Sequence, residues 1–535
     1  MPYHACMRYL ALIVALAATL GFGFLSIGMP RYFGLFLAIS AVFLVVGLRD
    51  LFQREHALLR NYPLLAHFRW AIEAIRPEIR QYLLESDTEA TPFSREQRSQ
   101  VYQRAKNVND ADAFGTEQNV YAEGHEWLAH SMAAKTPKET PPSVRIGGPQ
   151  CSRPYEASTL NISAMSFGSL SANAIRALNK GAAMGGFAHD TGEGSISRHH
   201  KEFGGDLIWE LGSGYFGCRR DDGGFDREQF AERAVDDQVK MIEIKLSQGA
   251  KPGHGGVLPG SKVTPEIAEA RGIEVGQTCV SPAAHSAFST PIEMMEFIAT
   301  LRDSADGKPV GIKLCIGHGW QFMALAKAMI ETGIMPDFVV VDGAEGGTGA
   351  APLELADNVG TPLREGLVWA HNTLVGAGLR EHIKIGASGK ITSGFRMAAN
   401  MALGADWCNS ARAFMFAVGC VQSESCHTDR CPTGVATQNK WRQRAVVVPD
   451  KAERVYNFHR RTVAAMQEVV ATVGLDHPGQ LRPEHLCRRT TDSEIHTADD
   501  VYRFLDTGEL LSGTGDGHYE KAWRRAQAHS FLPIR

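Results

Sequence analysis

Asp337-Phe338-Val339-Val340-Val341 runs directly into Asp342-Gly343-Ala344-Glu345-Gly346-Gly347-Thr348-Gly349. A short β-branched run without polar alternation reads as a strand buried on both faces, and such strands pair in parallel beneath covering helices. The glycine loop marks its exit. The same pattern recurs at Met241 to Leu246, Val310 to Cys315 and Ile383 to Ile385, each run leading into a glycine-rich loop and then helical periodicity. From Val144 onward the alternation predicts an α/β fold, a (β/α)8 TIM barrel. Periodicity alone does not close a cylinder, so a doubly wound sheet is the alternative.

Two of the glycine loops have the composition of an anion cradle. Gly343 to Gly349 and Gly386-Ala387-Ser388-Gly389-Lys390 follow late strands, where barrels commonly seat a phosphate on backbone N–H groups. Ligand-free barrels also turn on glycine. Neither loop is a P-loop or a dinucleotide fingerprint opening a Rossmann unit. Lys313, inside the apolar run Gly311-Ile312-Lys313-Leu314-Cys315, needs an anionic neighbour. Either the electron-rich edge of a reduced flavin or a core carboxylate would serve.

The chain has 535 residues, 54 of them glycine, and 55 Lys and Arg against 59 Asp and Glu give a net charge of -4. No basic excess points to nucleic acid. At the N-terminus, Tyr9 to Met29 and Tyr32 to Leu48 are uncharged runs separated by Pro30 and Arg31. Both approach the length that crosses a bilayer core, and Arg49, Arg54 and Arg60 follow the second. A transmembrane helical hairpin over 1–49 is expected, with the catalytic domain in the cytoplasm. A cleaved signal peptide is the competing reading of the first run. Residues 50–143 read as a helical linker arm, 144–480 as the barrel and 481–535 as a C-terminal extension.

Ten cysteines do not make a disulfide framework in a chain of this length, but Cys420, Cys426 and Cys431 form a C-x5-C-x4-C-P cluster. Soft thiolates at that density suggest an iron–sulfur cluster, or zinc if His427 completes a Cys3His set.

Four motifs in order carry a family resemblance: Lys251-Pro252-Gly253-His254-Gly255-Gly256-Val257-Leu258-Pro259-Gly260, Ser281-Pro282-Ala283-Ala284-His285, Gly346-Gly347-Thr348-Gly349-Ala350, and Cys420 through Gln438. Over roughly 145 to 480 the chain resembles the synthase domain of glutamate synthases, and with its N-terminus it resembles the shorter membrane-tethered proteins of the FMN-binding glutamate synthase family. The resemblance implies FMN, held by Ala164, Met165, Ser166, Lys313, Gly346, Gly347, Thr348, Gly386, Ser388, Gly389, Ser410 and Arg412. It also implies a [3Fe-4S] cluster on Cys420, Cys426 and Cys431, with Glu193 and Lys251 as catalytic residues and Lys251 meeting a carboxylate of 2-oxoglutarate.

The expected reaction is reductive amination of 2-oxoglutarate or a related keto acid with ammonia or an amine. Electrons would come from a donor protein, ferredoxin-like or a dinucleotide-dependent reductase, and ammonia either free from solution or from a separate glutaminase. Two departures bear on the substrate: His254 and Val257 stand where the family usually has Glu and Gln. They leave room for another amine oxidoreductase of the N-methylglutamate synthase kind, or for a membrane electron-transfer protein.

Overall fold

In the computed structural model, residues 8–89, 91–108, 111, 113–513, 515 and 517–534 are described. Cys6 lies outside them. The chain divides into two compact units, Met1–Thr91 and Pro92–Arg535.

The first unit is helical. Leu10–Gly28 (19 residues) and Pro30–Phe52 (23 residues) are both long and apolar enough to cross a membrane. Pro30 sits at the start of the second helix, where its missing N–H costs no helical bond. Across the hairpin Phe22 stacks on Phe36 at 5.4 Å. Short helix Ala57–Asn61 and helix Leu65–Ile79 follow.

The second unit is built on a closed parallel barrel of eight strands. In chain order they are β1 Leu160–Ile162, β2 His189–Asp190, β3 Leu207–Leu211, β4 Val239–Lys245, β5 Val310–Leu314, β6 Phe338–Asp342, β7 Lys384–Ser388 and β8 Trp407–Ser410. The cylinder closes where β8 pairs with β1, Asn409 opposite Asn161. The (β/α)8 expectation is thereby met, and the doubly wound alternative falls.

Helices cover the outside, among them Ala172–Gly185, Pro291–Ser304, Gly319–Thr332 and Leu363–Gly376. Their ends follow local chemistry: Thr290 and Glu293 form a reciprocal capping box, and Gly333 ends its helix in the left-handed region. Residues 92–143 belong to this unit. Helix Arg95–Ala105 packs on Val448–Thr472, and Glu126–Leu128 pairs antiparallel with Leu486–Arg489 of the C-terminal extension.

Inside the cylinder the layers differ in chemistry. Near the N-terminal ends of the strands, Ile208, Met241, Phe338, Val340 and Trp407 pack with Ile146 and Ala157 of the hairpin Ser143–Ile146 and Tyr155–Ser158. This apolar plug closes one end. Residues two positions further along a strand share the same face. They are polar: Glu210 after Ile208, Glu243 after Met241, Asp342 after Val340. Charge has been placed toward the end from which the loops emerge.

Candidate functional site

Lys313 on β5 sits among three carboxyl groups. Its Nζ contacts Glu210 and lies 3.1 Å from Glu243 Oε1, all three side chains being buried. Ligand atoms of Asp190, Glu210 and Glu243 lie within 4.8 Å of one another. The lysine ammonium already serves as the cation of that group. Burial, and for Glu243 also the neighbouring Asp190 charge, push both Asp190 and Glu243 above the usual carboxyl range. The anionic partner that the sequence demands for Lys313 is therefore supplied by core carboxylates.

Above this layer the loops gather Glu193, Lys245, Lys251 and Arg271. Lys245, the last residue of β4, pairs with Glu193 at 3.1 Å. Gly212 and Gly256 wall the Glu193 carboxylate: a Cβ on Gly256 would come within 1.8 Å of Oε1. Burial alone would raise the Glu193 pKa, but Lys245, Arg271 and Lys251 together hold it below the ordinary value. Lys251 is buried, which depresses its pKa against the pull of Glu193.

Arg271 lies on the same side, reaching Ser166 Oγ at 3.4 Å and the Phe167 carbonyl at 3.5 Å, with its guanidinium over the Phe216 ring. Neither Lys251 nor Arg271 has a carboxylate within 4.0 Å among the described residues. His285, lowered to about 4 by burial, braces the site: its Nε2 is 2.9 Å from the Lys245 carbonyl and its Nδ1 3.0 Å from the Tyr215 hydroxyl.

Of the residues expected from sequence, Glu193 and Lys251 are brought together. Lys245 and Arg271 were missed, although Lys245 ends one of the strands read directly from sequence. Ala164, Met165 and Ser166 form the turn after β1, so close beneath Gly192 that a Cβ there would meet Ser166 N at 2.7 Å. Val257 lies on a two-residue ribbon opposite Val280, both exposed, while the adjoining pair Leu258 and Cys279 is buried. Successive residues of a ribbon face opposite sides, so Val257 points away from the buried face. His254 is exposed as well.

The ends of β6, β7 and β8 form a second group. Ser388 Oγ is 3.3 Å from Ser163 Oγ, Ser410 Oγ donates to the Ile391 carbonyl at 2.7 Å, and Arg412 Nη2 donates to the Glu345 carbonyl at 2.6 Å. Gly347 is packed against Arg412: a Cβ would stand 2.7 Å from its Nε. Gly346 and Gly389 line the same loops, and Thr348 is exposed, its hydroxyl donating to the Ala350 carbonyl. Gly386 is elsewhere, lower on β7, where the Trp407 indole fills the space of its side chain.

Lys390 and Arg396 join Arg412 here. Burial lowers all three, Arg412 to about 10, and the Glu345 charge is the acid they share. None forms an ion pair within 4.0 Å among the described residues. Three half-buried cations beside glycine loops are a fit for a phosphate group.

The iron–sulfur expectation is corrected. Among the described residues, the one group of three or more His, Cys, Asp or Glu side chains with converging ligand atoms is the acidic set Asp190, Glu210 and Glu243. Cys420, Cys426 and Cys431 do not converge in this way, so they provide no [3Fe-4S] site. Two of the sulfurs have other partners: Cys420 Sγ accepts the Gln422 N–H at 3.4 Å, and Cys431 Sγ lies 3.5 Å from Thr433 Oγ1. All three pack against the main core, the ordinary use of a small soft side chain. Burial pushes the Cys420 thiol up to about 12. Lys262 ties this segment to the β1 turn, with Nζ 3.2 Å from the Cys426 carbonyl and 3.3 Å from that of Ser169.

Comparison with known proteins follows the same lines. The conserved region in glutamate synthase matches residues 118–476. The glutamate synthase large subunit-like protein YerD of Bacillus subtilis (strain 168) is 38% identical, over 88% of this chain and 97% of its own length. An archaeal-type glutamate synthase [NADPH] of Thermotoga neapolitana is 32% identical, over 60% of each chain. Among solved structures, a mandelate oxidase variant with 2-hydroxy-phenylacetamide aligns with a TM-score of 0.39 and 14% identity, over 81% of this chain and 98% of that one; so distant a likeness carries no weight here. The span of the conserved region, the identity to a relative matched over nearly its whole length and the closed barrel agree: the chain belongs to the glutamate synthase family.

Proposed function

We propose that this chain is a membrane-tethered, FMN-dependent oxidoreductase that reductively aminates a dicarboxylic keto acid, 2-oxoglutarate or a close relative. The observation that carries this reading is the gathering of Lys245, Lys251 and Arg271 around one carboxylate, Glu193. Three cations and one anion leave two positive charges for a substrate, the complement of a dicarboxylate. Lysine supplies a movable point charge and arginine a planar fork for carboxylate oxygens.

Lys390, Arg396 and Arg412, with the backbone of Gly346, Gly347 and Gly389, would hold the FMN phosphate, and Lys313 would stand at the isoalloxazine edge. When bound, FMN would supply the hydride chemistry for reducing an imine. The protein's own residues do the rest. Lys251 and Arg271 bind and orient the substrate carboxylates. Glu193, kept ionised by its cationic neighbours, would accept hydrogen bonds from the incoming ammonia and fix it beside the keto carbon, where addition of its nitrogen and loss of one water leave an imine. The glycine walls around Glu193 fix the carboxylate in one position, so orientation is set before the reaction. Leu10–Gly28 and Pro30–Phe52 would anchor the enzyme in the membrane.

The test is spectral. The purified full chain should release FMN on denaturation, identified by chromatography, and 2-oxoglutarate should perturb the flavin absorbance of wild type but not of Lys251→Ala. FAD, no flavin, or an identical response in the two proteins would overturn the assignment.

A further inference from the structure

In the N-terminal unit, helix Leu65–Ile79 has one face that the unit does not cover. Leu65, Phe68, Ile72 and Ile75 recur at intervals of three, four and three, a single stripe of a helix, and are 51%, 71%, 44% and 53% exposed. A different face is held: Ala66 is buried, His67 Nε2 lies 2.8 Å from Asp50 Oδ2, and Trp70 meets the ring of His56 at 5.7 Å. Arg69, Arg76 and Arg80 line one flank of the stripe at the same helical spacing. Tyr82, Leu83 and Leu84 prolong the apolar surface.

Two observations select the occupant. The helix follows the second apolar helix, which ends at Phe52, with only the short Ala57–Asn61 helix between, so it begins close to where that apolar surface stops. It is 15 residues long and contains Arg69, Glu73, Arg76 and Glu78, too short and too charged to cross a core of about 30 Å. An apolar stripe flanked by arginines is the pattern of a helix lying in a headgroup boundary. Building on the membrane anchoring proposed above, we propose that Leu65–Leu84 lies in the plane of the bilayer, with Phe68, Ile72 and Ile75 among the acyl chains and the arginine row on lipid phosphates.

The experiment uses the full chain in phosphatidylcholine–phosphatidylglycerol vesicles, with the photoreactive residue p-benzoylphenylalanine placed singly at Phe68, Ile75, Glu73 or Phe24. After irradiation, mass spectrometry should find severalfold more lipid adduct at Phe68 and Ile75 than at Glu73, approaching the yield at Phe24 in the first apolar helix. Chain-to-chain adducts at Phe68 and Ile75 would overturn the proposal in favour of a second copy. Lipid adducts at Phe24 alone would overturn it and leave the anchor standing. No lipid adduct at any position would overturn both.

Discussion

Replacing Lys313 by Met removes the ammonium that bridges Glu210 and Glu243 and leaves Asp190, Glu210 and Glu243 buried together. Breaking a buried ion pair by deleting one partner costs about 3–5 kcal/mol. Here two carboxylates lose the same partner, which places Lys313→Met in the upper half of that range. Total stability is only about 5–15 kcal/mol, so the variant should lose from about a quarter of it to nearly all.

Adding Glu210→Gln removes one of the stranded charges and should restore half of the loss or more. Urea unfolding of the flavin-free protein avoids stabilisation by bound ligand, and the buried Trp209 and Trp407 report on it by fluorescence. Acid should also rescue the single variant. A carboxyl whose folded pKa is raised contributes stability that is fully present below its unfolded value near about 4 and lost as pH rises through the folded value. Burial and mutual charge raise Asp190 and Glu243 even with the lysine present, so the Lys313→Met midpoint should fall as pH rises above that unfolded value. A single variant within about 1 kcal/mol of wild type, or a double variant no more stable than the single, would refute the reasoning.

Gly256→Ala should expel Glu193, since the new Cβ would lie 1.8 Å from Oε1; keto-acid-dependent flavin reoxidation should fall by about a hundredfold in stopped-flow traces, with flavin content unchanged. Lys251→Ala forfeits a charge-assisted contact of about 1.5–3 kcal/mol, so titration should show keto-acid affinity weakened by about one to two orders of magnitude. Arg412→Ala should raise the FMN dissociation constant at least about tenfold by fluorescence titration, without altering the fold. Glu243→Gln removes a carboxyl whose folded pKa is raised, so its urea midpoint should vary less with pH than that of wild type.

The strands with apolar, β-branched sequences were legible: Val310–Leu314 and Phe338–Asp342 fall almost where their composition puts them. Val239–Lys245 and Lys384–Ser388 overlap the runs read at Met241 to Leu246 and Ile383 to Ile385, but the remaining four strands were not read, for a physical reason. β2 is His189–Asp190 and β8 is Trp407–Ser410; polar residues such as Asp190 and Asn409 interrupt them, so neither shows the β-branched run that marks a buried strand. Glu193 and Lys251 were found through motifs, whereas Arg271 was missed because only folding carries it to Ser166, 105 positions away. Gly386 is a different case. Its loop has the composition of an anion cradle, but the residue is inside β7 and makes room for Trp407. The cysteine spacing was equally persuasive, and spacing alone could not show that the three sulfurs fail to converge.

One anaerobic turnover decides whether the chain aminates a keto acid. The full chain, its flavin reduced by light, is mixed with 2-oxoglutarate and isotopically labelled ammonium, and the products are quantified by mass spectrometry, with related keto acids and methylamine in parallel. The expected result is one labelled amino acid per flavin reoxidised, formed only when keto acid and amine are both present. Flavin that stays reduced with every pair, or is reoxidised without any amino acid product, would contradict it.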